Sequence, residues 1–321
     1  MGSKLIHIKR LFIALITMVT SLSLCAQDNL TMADKAARII NRPKLTKQDV
    51  INARDTILLA LQQESEMDDP YAWLVKGFVF KEMYKVVDDS VYTSVNREIA
   101  VEALGECMRL DKDRAYKDEC TGVLEFLASS YFNDSANLTL SNDESAFQIS
   151  DELFNKSRKI ERMIDPTADL KQWDINFHLN KAKAYTKLYE RDPAKNPETI
   201  EKAIDNFKVA LVLDSTIHDA NFNVATAYYN MGVYKVRKIN ANTEFDSLIK
   251  IQDECIQLFI KALPYMQRAY NVRPRHKDTL KGMWFINRAL SEDEKAEYYR
   301  GEMERLIKNG TIEEGSLPRQ K

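Results

Sequence analysis

Glycine and proline are scarce in this chain, at nine and eight among 321 residues, where average usage would supply roughly 7% and 5%. Sheets joined by many turns need both residue types, so the deficit excludes a turn-rich β fold and long flexible linkers. Histidine is scarce as well. His7, His178, His218 and His276 are the whole set, and none stands in an H-E-x-x-H or other paired metal spacing. No G-x-S-x-G elbow and no glycine-rich phosphate loop occurs, so neither a catalytic residue nor a cofactor or metal is expected. Net charge is also lacking. With 46 basic and 48 acidic residues, the chain has no field to draw nucleic acid or anionic lipid. The charges mix both signs along the chain, as on solvated helix faces.

Long apolar runs are absent with one exception. Lys4, Lys9 and Arg10 precede an apolar and small stretch from Leu11 to Leu24, which ends at Ala26-Gln27-Asp28. This is the layout of a secretory signal peptide, and the run falls short of the roughly 18 residues a membrane anchor needs. Residues 1–26 are therefore expected to be removed near Ala26. The remainder is expected to be exported to the oxidising side of a membrane, without integral membrane segments. An alternative uses Cys25 as a lipidated, peripherally anchored terminus, although Leu24 stands where bacterial lipoproteins carry a small residue.

What the chain has in abundance is helical periodicity. Ala203, Phe207, Ala210, Leu213 and Asp214 follow intervals of four, three, three and one. Ala262, Met266, Ala269, Val272 and Pro274 repeat the pattern with the terminator one place later, and Ala296 follows Ala262 by 34 residues. Residues at i, i+4 and i+7 share one helix face, and small Ala at two of them lets a second helix approach closely. Upstream, Trp73-x-x-Lys76-Gly77-x-x-Phe80 is followed by Ala100, Leu104, Cys107, Leu110 and Asp111 at the same spacing.

These residues resemble the tetratricopeptide (TPR) repeat, whose period is about 34 residues and whose opening reads W-x2-L-G-x2-Y. Here Lys76 replaces the consensus leucine. The resemblance covers roughly residues 46–308 and is clearest over 175–303. With the N-terminal segment, it is to exported TPR proteins of Gram-negative bacterial envelopes. It implies an all-α fold, a TPR-like helical-hairpin solenoid forming a right-handed superhelix over 27–308, with a polar tail at 309–321. Extra residues after Tyr131, Tyr185 and Tyr228 imply lengthened helices or long loops within several repeats.

The periodicity predicts helices over 31–41, 46–64, 70–86, 95–110, 115–132, 144–164, 172–190, 197–213, 218–238, 246–272, 277–289 and 292–308. Thr46 with Asp49, and Ser291 with Glu294, read as capping boxes.

In TPR proteins the first helix of each pair lines the inner groove. Carried onto this register, the resemblance implies a groove formed by Asn176, Leu179, Lys183, Thr186 and Lys187, then Asp219, Phe222, Thr226, Tyr229 and Asn230, then Asp278, Lys281, Phe285 and Arg288. Phe222, Tyr229 and Phe285 are candidate anchors, and Lys183, Lys187, Lys281 and Arg288 candidate acid-binding groups, since aromatic and Arg residues concentrate at binding centres. Phe222 and Phe285 are read equally well as packing residues. The Lys and Asn pattern with which chaperone-binding TPR domains hold a C-terminal carboxylate is not matched, because Leu179 and Phe222 stand where it requires Lys.

Cys107 and Cys120 lie thirteen residues apart on successive helices, so they are read either as a disulfide or as two buried thiols. Cys255 is read as a core residue. Asp89-Ser90-Val91, Asp134-Ser135-Ala136 and Asp246-Ser247-Leu248 resemble an O-glycosylation acceptor of some Gram-negative bacteria, and all three are expected in loops. The functional expectation is a non-catalytic scaffold that binds a peptide or protein. The alternative is a helical-repeat glycan- or nutrient-binding protein of the outer membrane, for which 14 Tyr and 3 Trp could supply stacking surfaces.

Overall fold

The computed structural model describes residues 30–141, 143–193 and 196–312. Residues 1–29, which include the segment expected to be a signal peptide and Cys25, and residues 313–321 lie outside the described residues. Every regular element among the described residues is helical. They are α1 (Met32–Ile40), α2 (Lys47–Ala60), the single turn α3 (Glu64–Met67), α4 (Pro70–Glu82), α5 (Asn96–Leu110), α6 (Lys117–Leu140), α7 (Ser145–Ile164), α8 (Lys171–Arg191), α9 (Thr199–Leu213), α10 (His218–Arg237), α11 (Phe245–Val272), α12 (Lys277–Ala289) and α13 (Asp293–Lys308). A π-helical turn, Met83–Val87, continues α4.

The helices pack as successive hairpins, which is the helical-hairpin repeat architecture that the spacing implies. The α10–α11 pair shows the antiparallel register. Arg268 reaches Asn221 at one end, Gly232 meets Phe259 and Cys255 midway, and Lys235 pairs with Glu254 near the tip. Gly232 permits this approach, since a Cβ there would lie 2.6 Å from Phe259 Cε1. The extra residues are absorbed mainly as longer helices: α6 has 24 residues, α8 21, α10 20 and α11 28. In the Trp73 repeat they form the π turn and an irregular loop instead.

Two compact units result. Among the described residues, the first comprises 30–138 and 148–168, the second 139–147 and 169–312. In the first, Ile57, Leu104, Leu124 and Leu127 are fully buried in one core with Val79 and Ala100, each large side chain worth about 1.5–3 kcal/mol of burial. Arg97 is also fully buried. Its guanidinium lies against Tyr131 and Tyr84, bonds Asp134 at 2.7 Å, and donates to the Tyr92 carbonyl at 2.6 Å. The loop before α5 is thereby tied to α6. The buried Glu66 carboxylate accepts from the Met32 and Ala33 amides, both at 2.9 Å, satisfying donors that a helix start leaves open.

In the second unit, Ala182, Ile204, Phe207, Ala220 and Val224 join α8, α9 and α10, while Ala225, Ala262, Met266, Leu280 and Met283 join α10, α11 and α12. Ile312 also packs on the latter core. The small alanines Ala203, Ala210, Ala262 and Ala269 are fully buried, as their spacing on one helix face indicated.

Several local expectations need correction. The Thr46–Asp49 capping box is present, but Ser291 has φ +59 and Glu292 is the N-cap of α13 without a side-chain cap bond. The helix expected over 46–64 ends at Ala60, and that expected over 115–132 continues to Leu140. Asp89-Ser90-Val91 does lie in a loop, with Asp89 and Ser90 left-handed. Asp134-Ser135-Ala136 instead lies inside α6, where Ser135 is buried and bonded to Ser150 at 3.0 Å. Asp246-Ser247-Leu248 forms the first turn of α11. No described helix is long and apolar enough to cross a membrane.

Candidate functional site

The first helices of the last three hairpins, α8, α10 and α12, are neighbours in the second unit. Leu179 and Ala182 of α8 share a core with Ala220 and Val224 of α10. Tyr229 of α10 lies 6.1 Å from the Phe285 ring of α12, centroid to centroid. The face they form contains the side chains that repeat register assigned to a groove.

Between α8 and α10 this face holds a depression of about 260 Å³, floored by Phe207 and Ala184 and rimmed by Leu140, Asn180, Lys183, Thr186, Lys187 and Asn223. Three of the expected groove residues thus meet: Lys183, Thr186 and Lys187. The last two have different environments. Thr186 donates its hydroxyl to the Ala182 carbonyl at 2.9 Å, whereas Lys187 is exposed. Asn180 and Asn223 were missed because each sits one position beyond a chosen face residue, Leu179 and Phe222. Leu140 was missed because α6 was expected to stop at 132. No local signal identifies Phe207 as the floor.

A second cluster joins α10 to α12. His218 Nδ1 lies 3.0 Å from Asp219 Oδ1, and its Nε2 lies 2.9 Å from Thr279 Oγ1. His276 Nδ1 is 2.9 Å from the same hydroxyl and accepts the Thr279 amide at 3.3 Å, capping α12. The His218 hydrogen bond, aided by Arg273, holds the Asp219 carboxyl below its ordinary pKa. Burial, with the adjacent His218 ring, lowers that of His276. Thr279 is fully buried, so this Asp-His-Thr line offers solvent no nucleophile and serves to fasten two helices.

The remaining expected residues are distributed along the face. Phe222 is half-buried, with ring centroids 6.2 Å from His218 and 6.0 Å from His276, which assigns it a packing role. Tyr229 packs on Phe259 at 5.3 Å and, through Phe285, continues to Trp284. Phe285 remains 37% exposed. Arg288 lies over the Trp284 ring. Asn176, Asn230 and Asp278 are exposed, while Thr226 and Lys281 are half-buried. Lys281 and Arg288 do not line the depression with Lys183 and Lys187.

Cys107 and Cys120 are both fully buried as free thiols, with their sulfurs 3.4 Å apart. The hydrogen bond between them, and burial, push the Cys107 thiol pKa up. Cys255 is buried, and its thiol donates to the Gly232 carbonyl at 3.3 Å. Among the described residues no group of His, Cys, Asp and Glu is placed to hold a metal ion.

No family model matches the chain, and no curated protein matches it. Among solved structures, a human IFIT1 dimer with PPP-AAAA is similar over 86% of this chain and 72% of that one, at 12% identity and a TM-score of 0.23. So low a TM-score carries neither fold detail nor ligand over to this chain.

Proposed function

We propose that this protein is a non-catalytic scaffold of the cell envelope that holds a peptide or protein partner on the α8–α10–α12 face. The observation that carries the reading is the face itself: adjacent first helices present unpaired lysines and side-chain amides around one depression, and the edge of an aromatic cluster, Tyr229 with Phe285, lies elsewhere on the same face. Binding centres favour such aromatic anchors beside orienting polar groups. The buried His218–Thr279–His276 line supports the reading by fixing α10 to α12, because a preorganised surface loses less entropy on binding.

Placement in the envelope is part of the proposal and is supported by the N-terminal cationic and apolar segment. Terminal sequencing of the native protein is expected to start at Gln27. An unprocessed Met1 terminus on native cytosolic protein would remove this part.

The binding claim is tested by a photoreactive residue introduced at Thr226 or Asn230, against controls at Val212 and Lys261, which are exposed on the second helices α9 and α11. The two groove positions are expected to cross-link one common protein, and the controls are not. Equal labelling from all four positions, or no protein adduct together with specific binding on a glycan array, would overturn it.

A further inference from the structure

The chemistry of the depression between α8 and α10 specifies more than a generic contact surface. Some lysines on helix surfaces reach a carboxylate outside their own helix: Lys156 to Glu98, Lys202 to Glu144 and Lys235 to Glu254. Lys183 and Lys187 differ. They stand one turn apart on α8 at the rim of the depression, and among the described residues neither has a carboxylate oxygen within 4.0 Å. The nearby acidic group that Lys183 influences, Asp219, is already engaged by His218 and Arg273.

Two unpaired ammonium groups on one wall are faced by amides. Asn180 shares α8 with the lysines. Asn223 stands opposite on α10, where one of its amide hydrogens is given to the Asp219 carbonyl at 2.7 Å. An amide that has already donated to backbone keeps a second N–H for an incoming acceptor. The floor is apolar, with Ala184 and Phe207 buried and Leu140 at the edge.

Cationic and amide donors above an apolar floor select an anion that carries hydrocarbon with it. A free phosphate is strongly hydrated on all sides and gains nothing from Phe207 or Leu140, whereas the methylenes of an aspartate or glutamate side chain bury against them. The carboxylate then accepts charge-assisted hydrogen bonds from the lysines.

We infer that this depression receives an acidic side chain of the partner, so that the partner's contacting segment contains Asp or Glu next to an apolar residue. This rests on the partner-binding reading of the same face. The arrangement differs from a terminal-carboxylate clamp of the chaperone-binding kind, whose lysine positions are filled here by Leu179 and Phe222.

The probe is glutarate, the dicarboxylate closest to a glutamate side chain, with neutral glutaramide as the control. Amide NMR spectra of the full chain are recorded during titration with each. Glutarate is expected to produce saturable shifts at Asn180, Asn223 and the backbone of 180–187 with a millimolar dissociation constant, the range accessible to so small a ligand. Lys183→Gln with Lys187→Gln is expected to weaken this about tenfold or more. Lys183→Arg with Lys187→Arg, which keeps both charges, is expected to retain binding.

Shifts absent at saturating glutarate, equal with glutaramide, or unchanged by the double Gln variant would each overturn the acidic-ligand assignment. The partner-binding reading is judged separately. If Thr226 and Asn230 still cross-link a common protein when glutarate fails, the face binds its partner by other contacts and only the acidic specificity falls.

Discussion

Oxidation of Cys107 and Cys120 should stabilise the first unit by an amount that the structure allows one to work out. The sulfurs lie 3.4 Å apart on adjacent helices of a core with neither thiol exposed, so a bond of about 2.0 Å requires an approach of little more than an ångström. Thirteen residues separate the two positions, and closing a loop of that size removes about 3 kcal/mol of denatured-state entropy. The thiolate is the reacting species, and the raised Cys107 pKa leaves little of it in the folded state. Oxidised glutathione should therefore couple the pair quickly during refolding and slowly in the native protein. The assay is guanidinium unfolding of both forms, with intact mass recording the loss of two hydrogens. A rise in the unfolding midpoint equivalent to about 3 kcal/mol is expected. Recovery of only glutathione adducts, or an oxidised form no more stable than the reduced one, would refute the reasoning.

Four other perturbations test separate parts of the account. Gly232→Ala puts a methyl 2.6 Å from Phe259, and overpacking of about 1–3 kcal/mol outweighs a helix-propensity gain of about 1 kcal/mol, so thermal denaturation should show a net loss. Gly301→Ala meets no atom within 4 Å and should instead gain about 1 kcal/mol; a loss there would count against an open flank at this position of α13. Arg97→Met removes the partner of Asp134 and the tether to Tyr92, and urea unfolding should register a loss of about 3 kcal/mol. His276 has a lowered folded pKa, so its contribution is intact above its unfolded pKa and is lost as pH falls through the folded value. His276→Asn keeps a capping side chain without that titration, and should flatten the stability–pH curve of the wild type below about pH 6.5.

Much of this fold is legible in the sequence because its packing is local and periodic. Ala203, Phe207 and Ala210, and Ala262, Met266 and Ala269, are buried where their spacing places them. Helix boundaries from 171 onward follow the same periodicity closely. What the pattern does not reveal is set by contacts between distant residues. The π turn at Met83–Val87, the buried Arg97 and the Glu66 cap on α1 each depend on partners 30 or more residues away or on irregular backbone. Ser291 shows a complementary failure, since a capping-box spelling was overridden by its left-handed conformation. For the candidate site, register finds Lys183 and Lys187, but the depression they rim depends on Phe207 and Leu140 from other helices. Periodicity on α8 alone carries no information about that floor.

The central claim is that the α8–α10–α12 face holds the partner, and hydrogen exchange on the isolated complex tests it most directly. Adding the cross-linked partner in its native form should slow exchange of amides in α8, α10 and α12, most strongly around 180–187 and 222–230, and leave the end of α9 near Val212 and the outer turns of α11 unchanged. Protection confined to α1–α7, or spread evenly over α9 and α11, would contradict the account.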